Sequence, residues 1–270
     1  MKPVNTSARV MEINRLGKDI FEIRLRSPEI SRRACAGQFV HLRCQPEALE
    51  QKRDPLLRRP FSFNSIDPRS ESFAIKFNVE GRGTAALSRR QKGEKLEVMG
   101  PLGQGFTIQP EAKNPLMIGG GMGIAPLPPL LKKIPDDLTP RVLLGANNKE
   151  AVLDLPYFMS EEKKLDLTVV TEDGSAGEKG VISDFLFRFK KNIDYVYVCG
   201  PQGLIEAAKR WCEKNNIAGQ ASLEARMACG VGACLSCVKK ITEEKSENTT
   251  NQKVCSEGPV FPLERVVFDG

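Results

Sequence analysis

Four cysteines near the C-terminus have the spacing of metal ligands. The pattern C-x4-C-x2-C-x17-C is formed by Cys229, Cys234, Cys237 and Cys255. It is typical of a plant-type [2Fe–2S] cluster held by four thiolates, whereas zinc sites more often show two C-x2-C pairs. Gly230, Gly232 and Ala233 leave a loop with little side-chain bulk, so that backbone N–H groups can approach the sulfurs. The spacing predicts a one-electron carrier, with zinc or free thiols as the alternatives.

The other four cysteines do not indicate disulfides. They are Cys35, Cys44, Cys199 and Cys212, and none has a paired spacing. The sequence shows no apolar run near the ~20 residues of a membrane span, and its first 16 residues lack the apolar core of a signal peptide. We therefore expect a soluble, cytoplasmic protein in a reducing compartment. The net charge of +6 comes from scattered basic residues, which is typical of a solvated surface with no nucleic-acid or membrane partner.

The first part of the chain, residues 1–105, has the pattern of short antiparallel strands. In residues 21–25 and again in 73–79, apolar side chains alternate with polar ones, as they do in half-buried strands. Several short strands at this spacing predict a small antiparallel β-barrel. Residues 83–87 predict one short helix, and residues 100–103 predict a turn that closes the domain.

Residues 113–225 alternate strand-like and helix-like segments. The strand-like runs are 116–118, 142–144, 167–170, 195–198 and 221–223, and the helix-like ones are 127–133 and 204–214. This alternation predicts βαβ units and a parallel sheet. Residues 226–270 carry the cluster cysteines, and their polar stretch 242–253 predicts a mobile loop. The predicted fold class is therefore mixed: an antiparallel barrel domain, an α/β nucleotide domain and a C-terminal [2Fe–2S] subdomain.

Two further motifs suggest organic cofactors. Arg59-Pro60-Phe61-Ser62 lies on a predicted barrel strand, where a guanidinium can pair with a pyrophosphate and a hydroxyl can reach a flavin ring nitrogen. The tetrapeptide alone is a weak signal, because an edge strand with an exposed arginine would look the same.

The second of these motifs is a glycine-rich segment with the sequence GGGMGIAP. Its glycines are Gly119, Gly120, Gly121 and Gly123. Backbone N–H groups of such a loop can approach a pyrophosphate, although Pro126 replaces the last glycine of the usual G-x-G-x-x-G, and a structural tight turn is the alternative. Cys199-Gly200-Pro201 ends another predicted strand. Because parallel strands end on one rim, both loops are predicted to contact NAD.

Together these motifs resemble those of a known family. Residues 223–234, LEARMACGVGAC, and residues 253–261, KVCSEGPVF, are similar to the electron-transfer subunits of the NAD-dependent (class 1B) dihydroorotate dehydrogenases, within the ferredoxin-reductase superfamily. The resemblance covers nearly the whole chain. The superfamily's flavin motif is usually R-x-Y-[ST], and Phe61 lacks the tyrosine hydroxyl. The resemblance implies that FAD is bound by the Arg59 motif and by Lys76, Phe77, Asn78, Gly83 and Thr84.

The resemblance also implies a function and a partner. In that family an FMN-containing subunit oxidises dihydroorotate, and electrons then cross the [2Fe–2S] cluster and FAD to NAD⁺ in de novo pyrimidine (UMP) biosynthesis. A heterotetramer with two of each subunit is expected. No residue of this chain needs to be a catalytic acid or base, and the only histidine, His41, is expected to be a strand residue with a local partner. The alternatives are a reductase subunit serving another partner, such as ferredoxin or a hydrogenase, and a redox sensor, which the nucleotide loop disfavours.

Two carboxylates indicate which pyridine nucleotide is used. Glu172 and Asp173 follow the strand-like run 167–170, where superfamily members that take NADP often have a Ser-Arg pair. Carboxylates here would repel a 2′-phosphate, while either could accept a hydrogen bond from a ribose hydroxyl. We therefore expect NAD rather than NADP, with Glu172 at the ribose.

Overall fold

The first half of the chain forms a seven-stranded antiparallel sheet that curls on itself. The computed structural model describes residues 2–46, 55–160, 163–189, 192–244, 246 and 248–268. The first sheet contains β1 (Val4–Arg15), β2 (Ile20–Arg26), β3 (Phe39–Pro46), β4 (Arg59–Ser62), β5 (Ser65–Asp67), β6 (Ser72–Asn78) and β7 (Lys95–Leu102). Their order is β4-β3-β7-β1-β2-β6-β5, and only residues 63–64 separate the two edge strands, so the sheet curls toward closure. The predicted antiparallel barrel is confirmed, and so is its predicted short helix, here α2 (Arg82–Leu87); a further short helix, α1 (Pro28–Ser31), was not predicted.

Two details of this sheet differ from the prediction. Strand β6 is buried on both faces over residues 72–77, not half-buried. The second half of the chain, which we call the nucleotide half, covers its second face. There the buried Lys76 ammonium pairs with Asp154, and Asn64 Nδ2 donates to Asp154 Oδ2 (2.7 Å) and to Ala125 O (3.1 Å). Residues 100–102 belong to β7 rather than to a closing turn, since Gly100 pairs with Val4.

Strand β3 separates the barrel core from the rest of the molecule. Val40, Leu42 and Cys44 pack into the barrel core, while Phe39 belongs to the core shared with the nucleotide half. His41 lies on the same outer face as Phe39, since side chains alternate along a strand, and it is 0% exposed. The local partners that the sequence analysis expected for it are the backbone carbonyls of Cys229 and Arg58, which raise the pKa of His41, although burial outweighs them and lowers that pKa to about 4.

The second half is built on a parallel sheet. Its strands are β8 (Pro115–Gly120), β9 (Arg141–Ala146), β10 (Asp166–Thr171), β11 (Glu178–Lys179), β12 (Tyr195–Cys199) and β13 (Ala218–Ser222), in the order β11-β10-β9-β8-β12-β13. The helices are α3 (Leu127–Leu131), α4 (Leu155–Phe158) and α5 (Gln202–Asn215). Every residue of β8 is buried, as expected for a central parallel strand covered on both faces. The predicted α/β sheet is confirmed, and no helix in the described ranges is long and apolar enough to cross a membrane.

The C-terminal segment departs from the sheet and then returns to it. Residues 229–237, which carry three of the four predicted cluster cysteines, form a loop that we call the cysteine loop. After it, β14 (Val238–Thr242) and β15 (Thr249–Lys253) form a two-stranded antiparallel sheet. The prediction of a mobile loop over 242–253 is therefore wrong for residues 242 and 249–253, which lie in these strands, and buried Ile241 anchors the hairpin in the core. Its residues 245 and 247 lie outside the described part of the chain. A last strand, β16 (Val260–Pro262), pairs antiparallel with β13, which fixes the cysteine loop against the nucleotide sheet.

Candidate redox-cofactor sites

The predicted flavin residues converge on one cavity of about 300 Å³, which we call the flavin cavity. It lies between the curled sheet and the nucleotide half. Eight of the nine predicted residues line it: Arg59, Pro60, Phe61, Ser62, Lys76, Phe77, Asn78 and Thr84. The ninth, Gly83, lies beneath Arg59, because a Cβ built on Gly83 would be only 3.2 Å from Arg59 Nε.

Arg59 supplies the cavity with positive charge. Its Nη1 donates to the carbonyls of Leu57 (2.8 Å) and Arg58 (3.1 Å), and no carboxylate among the described residues pairs with it. The neighbouring Arg58, in contrast, pairs with Glu97. A half-buried guanidinium held in place by backbone carbonyls, with no described carboxylate compensating its charge, suits an anionic ligand such as a pyrophosphate.

Lys76 has ion-pair partners of its own within the protein. It lines the flavin cavity, but its Nζ pairs with Asp154 and lies 3.6 Å from Glu22 Oε2. Two carboxylates already compensate its charge. We therefore interpret Lys76 as a link between the two halves, and Arg59 as the cation available to a phosphate.

The sequence analysis missed the part of the flavin cavity that later segments contribute. Met122, Ala125 and Pro126 come from the glycine-rich segment, and Leu223–Ala225, Met227 and Pro259 come from the region around the cysteines. The signal was present, because most of these residues lie inside the motifs already quoted. Gly123 and Cys199, predicted for NAD, also line this cavity. The flavin cavity therefore has a wall shared with the nucleotide loops.

The nucleotide loops meet at a second cavity of about 410 Å³, which we call the nucleotide cavity. Gly120, Gly121, Glu172 and Pro201 all line it. The two loops touch, since a Cβ on Gly123 would be 2.5 Å from Gly200 Cα. Gly200 itself lines a third cavity. Gly119 lines none of the three. It is the penultimate residue of β8, and a Cβ there would lie 2.6 Å from Leu127 Cδ1, so the missing side chain allows the strand and α3 to pack together.

Of the two carboxylates after β10, only one is free to meet a ligand. Asp173 Oδ1 accepts hydrogen bonds from Ser175 N (2.9 Å) and Ser175 Oγ (2.6 Å), and these bonds lower the pKa of Asp173. It therefore shapes its own loop. Glu172 lines the nucleotide cavity. The structure thus favours Glu172 over Asp173 as the residue that faces a bound nucleotide.

The predicted cluster cysteines contact one another in two pairs. The Cys234 thiol interacts with Cys229, and the Cys237 thiol with Cys255. Val231 N and Cys234 N each donate to Cys229 Sγ at 3.4 Å, and Gly232 N donates to Cys255 Sγ at 3.1 Å. Two pairs match a cluster in which two irons share four thiolates. Among the described residues, no three His, Cys, Asp or Glu side chains are arranged to hold a single metal ion.

The loop also tunes the two thiols that accept these bonds. Burial raises the pKa of Cys229, but the N–H groups of Val231 and Cys234 outweigh it and lower that pKa to about 6. Burial and the neighbouring Cys237 raise the pKa of Cys255 to about 11, against the effect of Gly232 N–H. Donors aimed at thiolate sulfur are what a cluster site requires. The Ser256 hydroxyl is a further donor to the Cys255 thiol that lowers its pKa, and a Cβ on Gly232 would lie 2.9 Å from Ser256 Oγ, so the residues present fit the cluster.

Comparison with known proteins agrees with this arrangement. Residues 224–267 match the iron-sulfur cluster binding domain of dihydroorotate dehydrogenase B, and residues 117–210 match the oxidoreductase NAD-binding domain. The electron transfer subunit of dihydroorotate dehydrogenase B (NAD(+)) from Desulforamulus reducens is 35% identical over 268 residues, which cover 97% of this chain and 98% of that protein. The corresponding subunit from Bacillus cereus strain Q1 is 35% identical over 264 residues, 96% of this chain and 97% of its own length.

Solved structures extend the comparison. The NADH-dependent reduced ferredoxin-NADP oxidoreductase, described for flavin-based electron bifurcation, has a TM-score of 0.80 at 27% identity and covers 96% of this chain and 89% of its own. A ferredoxin NADP⁺ reductase from Neisseria gonorrhoeae, at 17% identity, has a TM-score of 0.62 over 78% of this chain and 91% of its own, and shares the fold. The 35% identity to these relatives over nearly the full length of both chains, together with the two matched domains, shows that the chain belongs to the family of electron transfer subunits of dihydroorotate dehydrogenase B.

Proposed function

We propose that this chain takes electrons from an FMN-containing dihydroorotate dehydrogenase catalytic subunit and passes them through a [2Fe–2S] cluster and FAD to NAD⁺, in the synthesis of UMP. The observation that carries the proposal is the contiguity of the sites. Met227 and Pro259, beside the cysteine loop, line the flavin cavity, and so do Gly123 and Cys199 of the nucleotide loops. When bound, the cluster and the flavin supply one-electron and two-electron chemistry respectively.

The chain's own residues bind and orient in this proposal, and none acts as an acid or base. Arg59 and Thr84 hold the anionic and adenosine parts of FAD, Ser62 faces its ring, and Gly120 and Gly121 bring backbone N–H groups to the NAD pyrophosphate. We assign the barrel domain to residues 1–105, the NAD domain to 113–225 and the cluster subdomain to 226–270, of which β16 joins the nucleotide sheet.

The partner surface is proposed to surround the cluster loop. Val231 (48% exposed) and Leu235 (61% exposed) flank Cys234, which is itself exposed. Apolar side chains this exposed beside a redox centre suit contact with another protein, and a one-electron carrier must lie near its donor. We propose two copies of each subunit in a cytoplasmic complex.

Reconstitution tests the function directly. Mixing the loaded chain with the FMN subunit should give NAD⁺ reduction that requires dihydroorotate and both subunits. The second candidate, a reductase subunit for ferredoxin, is favoured by the 27% identity to the ferredoxin-NADP oxidoreductase. The same preparation is therefore assayed for NADH-dependent ferredoxin reduction. Ferredoxin turnover without any dihydroorotate turnover would replace our proposal with this second one.

The nucleotide preference is predicted to depend on Glu172. The wild type should prefer NADH over NADPH in kcat/KM, and Glu172→Gln should narrow that preference by about tenfold, because it removes a carboxylate that repels the 2′-phosphate while keeping a hydrogen-bond acceptor. The measurement is kcat/KM for both nucleotides with an artificial acceptor. Asp173→Asn is the matched control and should leave the preference unchanged. A wild-type preference for NADPH would refute the assignment.

A further inference from the structure

A buried polar cluster joins the curled sheet to the nucleotide half, and we call it the junction cluster: Asn64, Lys76 and Asp154. Asn64 follows β4, and its backbone N–H donates to Ala74 O (2.8 Å), while Lys76 lies opposite Glu22 in the β2–β6 pair. Asp154 comes from the nucleotide half, and its carboxylate accepts from Asn64 Nδ2 (2.7 Å) and pairs with Lys76. The Lys76 and Asp154 side chains are 6% and 11% exposed, and Asn64 is 3% exposed, so little water competes for these contacts.

The conformation of Asp154 is explained by this contact and not by its own helix. Asp154 is the N-cap of α4, where an aspartate side chain usually accepts a hydrogen bond from the first turn of its helix. Here the side chain makes no such bond, and the backbone has a left-handed φ of +59°, which costs energy for a residue with a side chain. Val152 and Leu153 before it are buried in the core of the nucleotide half. Asp154 therefore serves the junction between the two halves at the expense of its helix cap.

The junction cluster also holds the glycine-rich segment. The same Asn64 Nδ2 donates to Ala125 O at 3.1 Å, and Ala125 ends the short helical turn Gly121–Ile124. This segment contributes to both cavities, since Ala125 lines the flavin cavity and Gly121 lines the nucleotide cavity. One buried amide thus fixes the segment against the strands that bear the flavin residues. The position of the segment sets how closely the contents of the two cavities approach each other.

We propose that Asn64 and Asp154 are positioning residues for hydride transfer between NADH and the flavin, an inference that rests on the proposed function. In that step a C–H bond of NADH breaks, and its hydrogen and both electrons pass to the oxidised flavin, which leaves NAD⁺ and the anionic reduced flavin. Neither side chain lines the flavin cavity or the nucleotide cavity, so both act through the glycine-rich segment. Lys76 compensates the charge of the buried Asp154 carboxylate. A displacement of about 1 Å can lower the rate of such a step about 100-fold.

Stopped-flow reduction of the loaded chain by NADH tests the proposal. Asn64→Ala removes the amide that bonds Ala125 O and Asp154, and it should lower the limiting rate constant of flavin reduction about 10- to 100-fold. The Kd for NADH should change by about twofold at most, because the residues that line the nucleotide cavity remain. Flavin occupancy and the EPR signal of the cluster should stay those of the wild type.

A second readout needs no turnover. Adding NAD⁺ to the reduced protein should give the long-wavelength charge-transfer absorbance of a nicotinamide stacked on a flavin, and this band should weaken in Asn64→Ala. Asn148→Ala is the matched control, because Asn148 Oδ1 accepts from Ala151 N (3.1 Å) and the residue lines neither cavity. It removes one asparagine hydrogen bond from the nucleotide half and should change neither the rate constant nor the band.

Further variants test whether the two residues act as one unit. Asp154→Ala should slow flavin reduction as Asn64→Ala does, and Asp154→Asn, which keeps an oxygen for Asn64 Nδ2, should slow it less. The double variant Asn64→Ala/Asp154→Ala should be no slower than the slower single variant. If Asn64→Ala does not fold, Asn64→Ser replaces it with the same expectations, since its side chain is too short to bond both acceptors.

The possible outcomes separate this inference from the proposed function. A wild-type rate constant and a wild-type charge-transfer band in the Asn64 variant would overturn the inference and leave the proposed function intact. Rate reductions that multiply in the double variant would also overturn it, because the two residues would then act independently. A wild-type protein whose flavin NADH does not reduce would overturn the proposed function, and this inference with it.

Discussion

Cys234→Ser is expected to abolish electron flow from dihydroorotate to NAD⁺ in the reconstituted complex, with a fall in rate of at least about 100-fold. This is a larger loss than the one that follows when a residue hydrogen-bonded to a metal ligand is removed. The residue is exposed, and its thiol pairs with Cys229. Serine would leave one iron without its second thiolate. The visible absorbance and EPR signal of the cluster should disappear. Iron content, EPR and the coupled assay are the measurements.

The same variant provides an internal control. NADH oxidation by an artificial acceptor should continue in Cys234→Ser, because the flavin cavity and the nucleotide cavity contain no cluster cysteine. Cys35→Ser is the matched substitution, since Cys35 is also exposed but lies outside the cysteine loop. If Cys234→Ser still coupled dihydroorotate to NAD⁺ at the wild-type rate, the cluster would not be on the path.

Arg59→Ala is expected to weaken FAD binding by roughly 30- to 150-fold, the equivalent of about 2–3 kcal/mol for hydrogen bonds to a charged group. Arg59 is the flavin-cavity cation whose charge no described carboxylate compensates, and it is already oriented by the carbonyls of Leu57 and Arg58. Protein after gel filtration should retain iron and lose flavin. Absorbance and cofactor release measure both on one sample.

Two control variants sharpen this result. Arg59→Lys should restore FAD binding only in part, because a point charge cannot replace the planar two-pronged contact of a guanidinium. Arg89→Ala removes an equal charge from an exposed position outside the cavity and should leave flavin occupancy unchanged. Normal flavin occupancy in Arg59→Ala would show that the pyrophosphate lies elsewhere.

The parts of the fold that were predictable are those in which the pattern of apolar residues within one short segment determines its structure. Parallel strands such as β8 are apolar throughout because both faces are buried, and that run is visible in the sequence. Residues 72–77 of β6 alternate polar and apolar side chains, and this pattern predicted a half-buried strand. Lys76 is nevertheless buried, because it pairs with Asp154 from a distant part of the chain. The hairpin β14–β15 was missed because its strands are mostly polar and only Ile241 anchors them in the core.

The site shows the same division between local and tertiary information. Motif residues of the flavin cavity and the cysteine loop could be named in advance, since their types and spacing carry the chemistry. Tertiary contacts decided the rest: Lys76 is neutralised by Glu22 and Asp154, and Asp173 is used by its own loop. His41 is a strand residue with local partners, as expected, and only the fold places Gly230 against its ring.

The central claim is that one chain connects NADH, a flavin and the cluster, and an anaerobic titration of the loaded chain with NADH tests it most directly. Flavin absorbance and the EPR signal of the reduced cluster are followed in the same sample. Both should be fully reduced at about 1.5 NADH per chain, because the flavin takes two electrons and the cluster one. A flavin that is reduced while the cluster stays oxidised, yet is reducible by dithionite, would contradict the account.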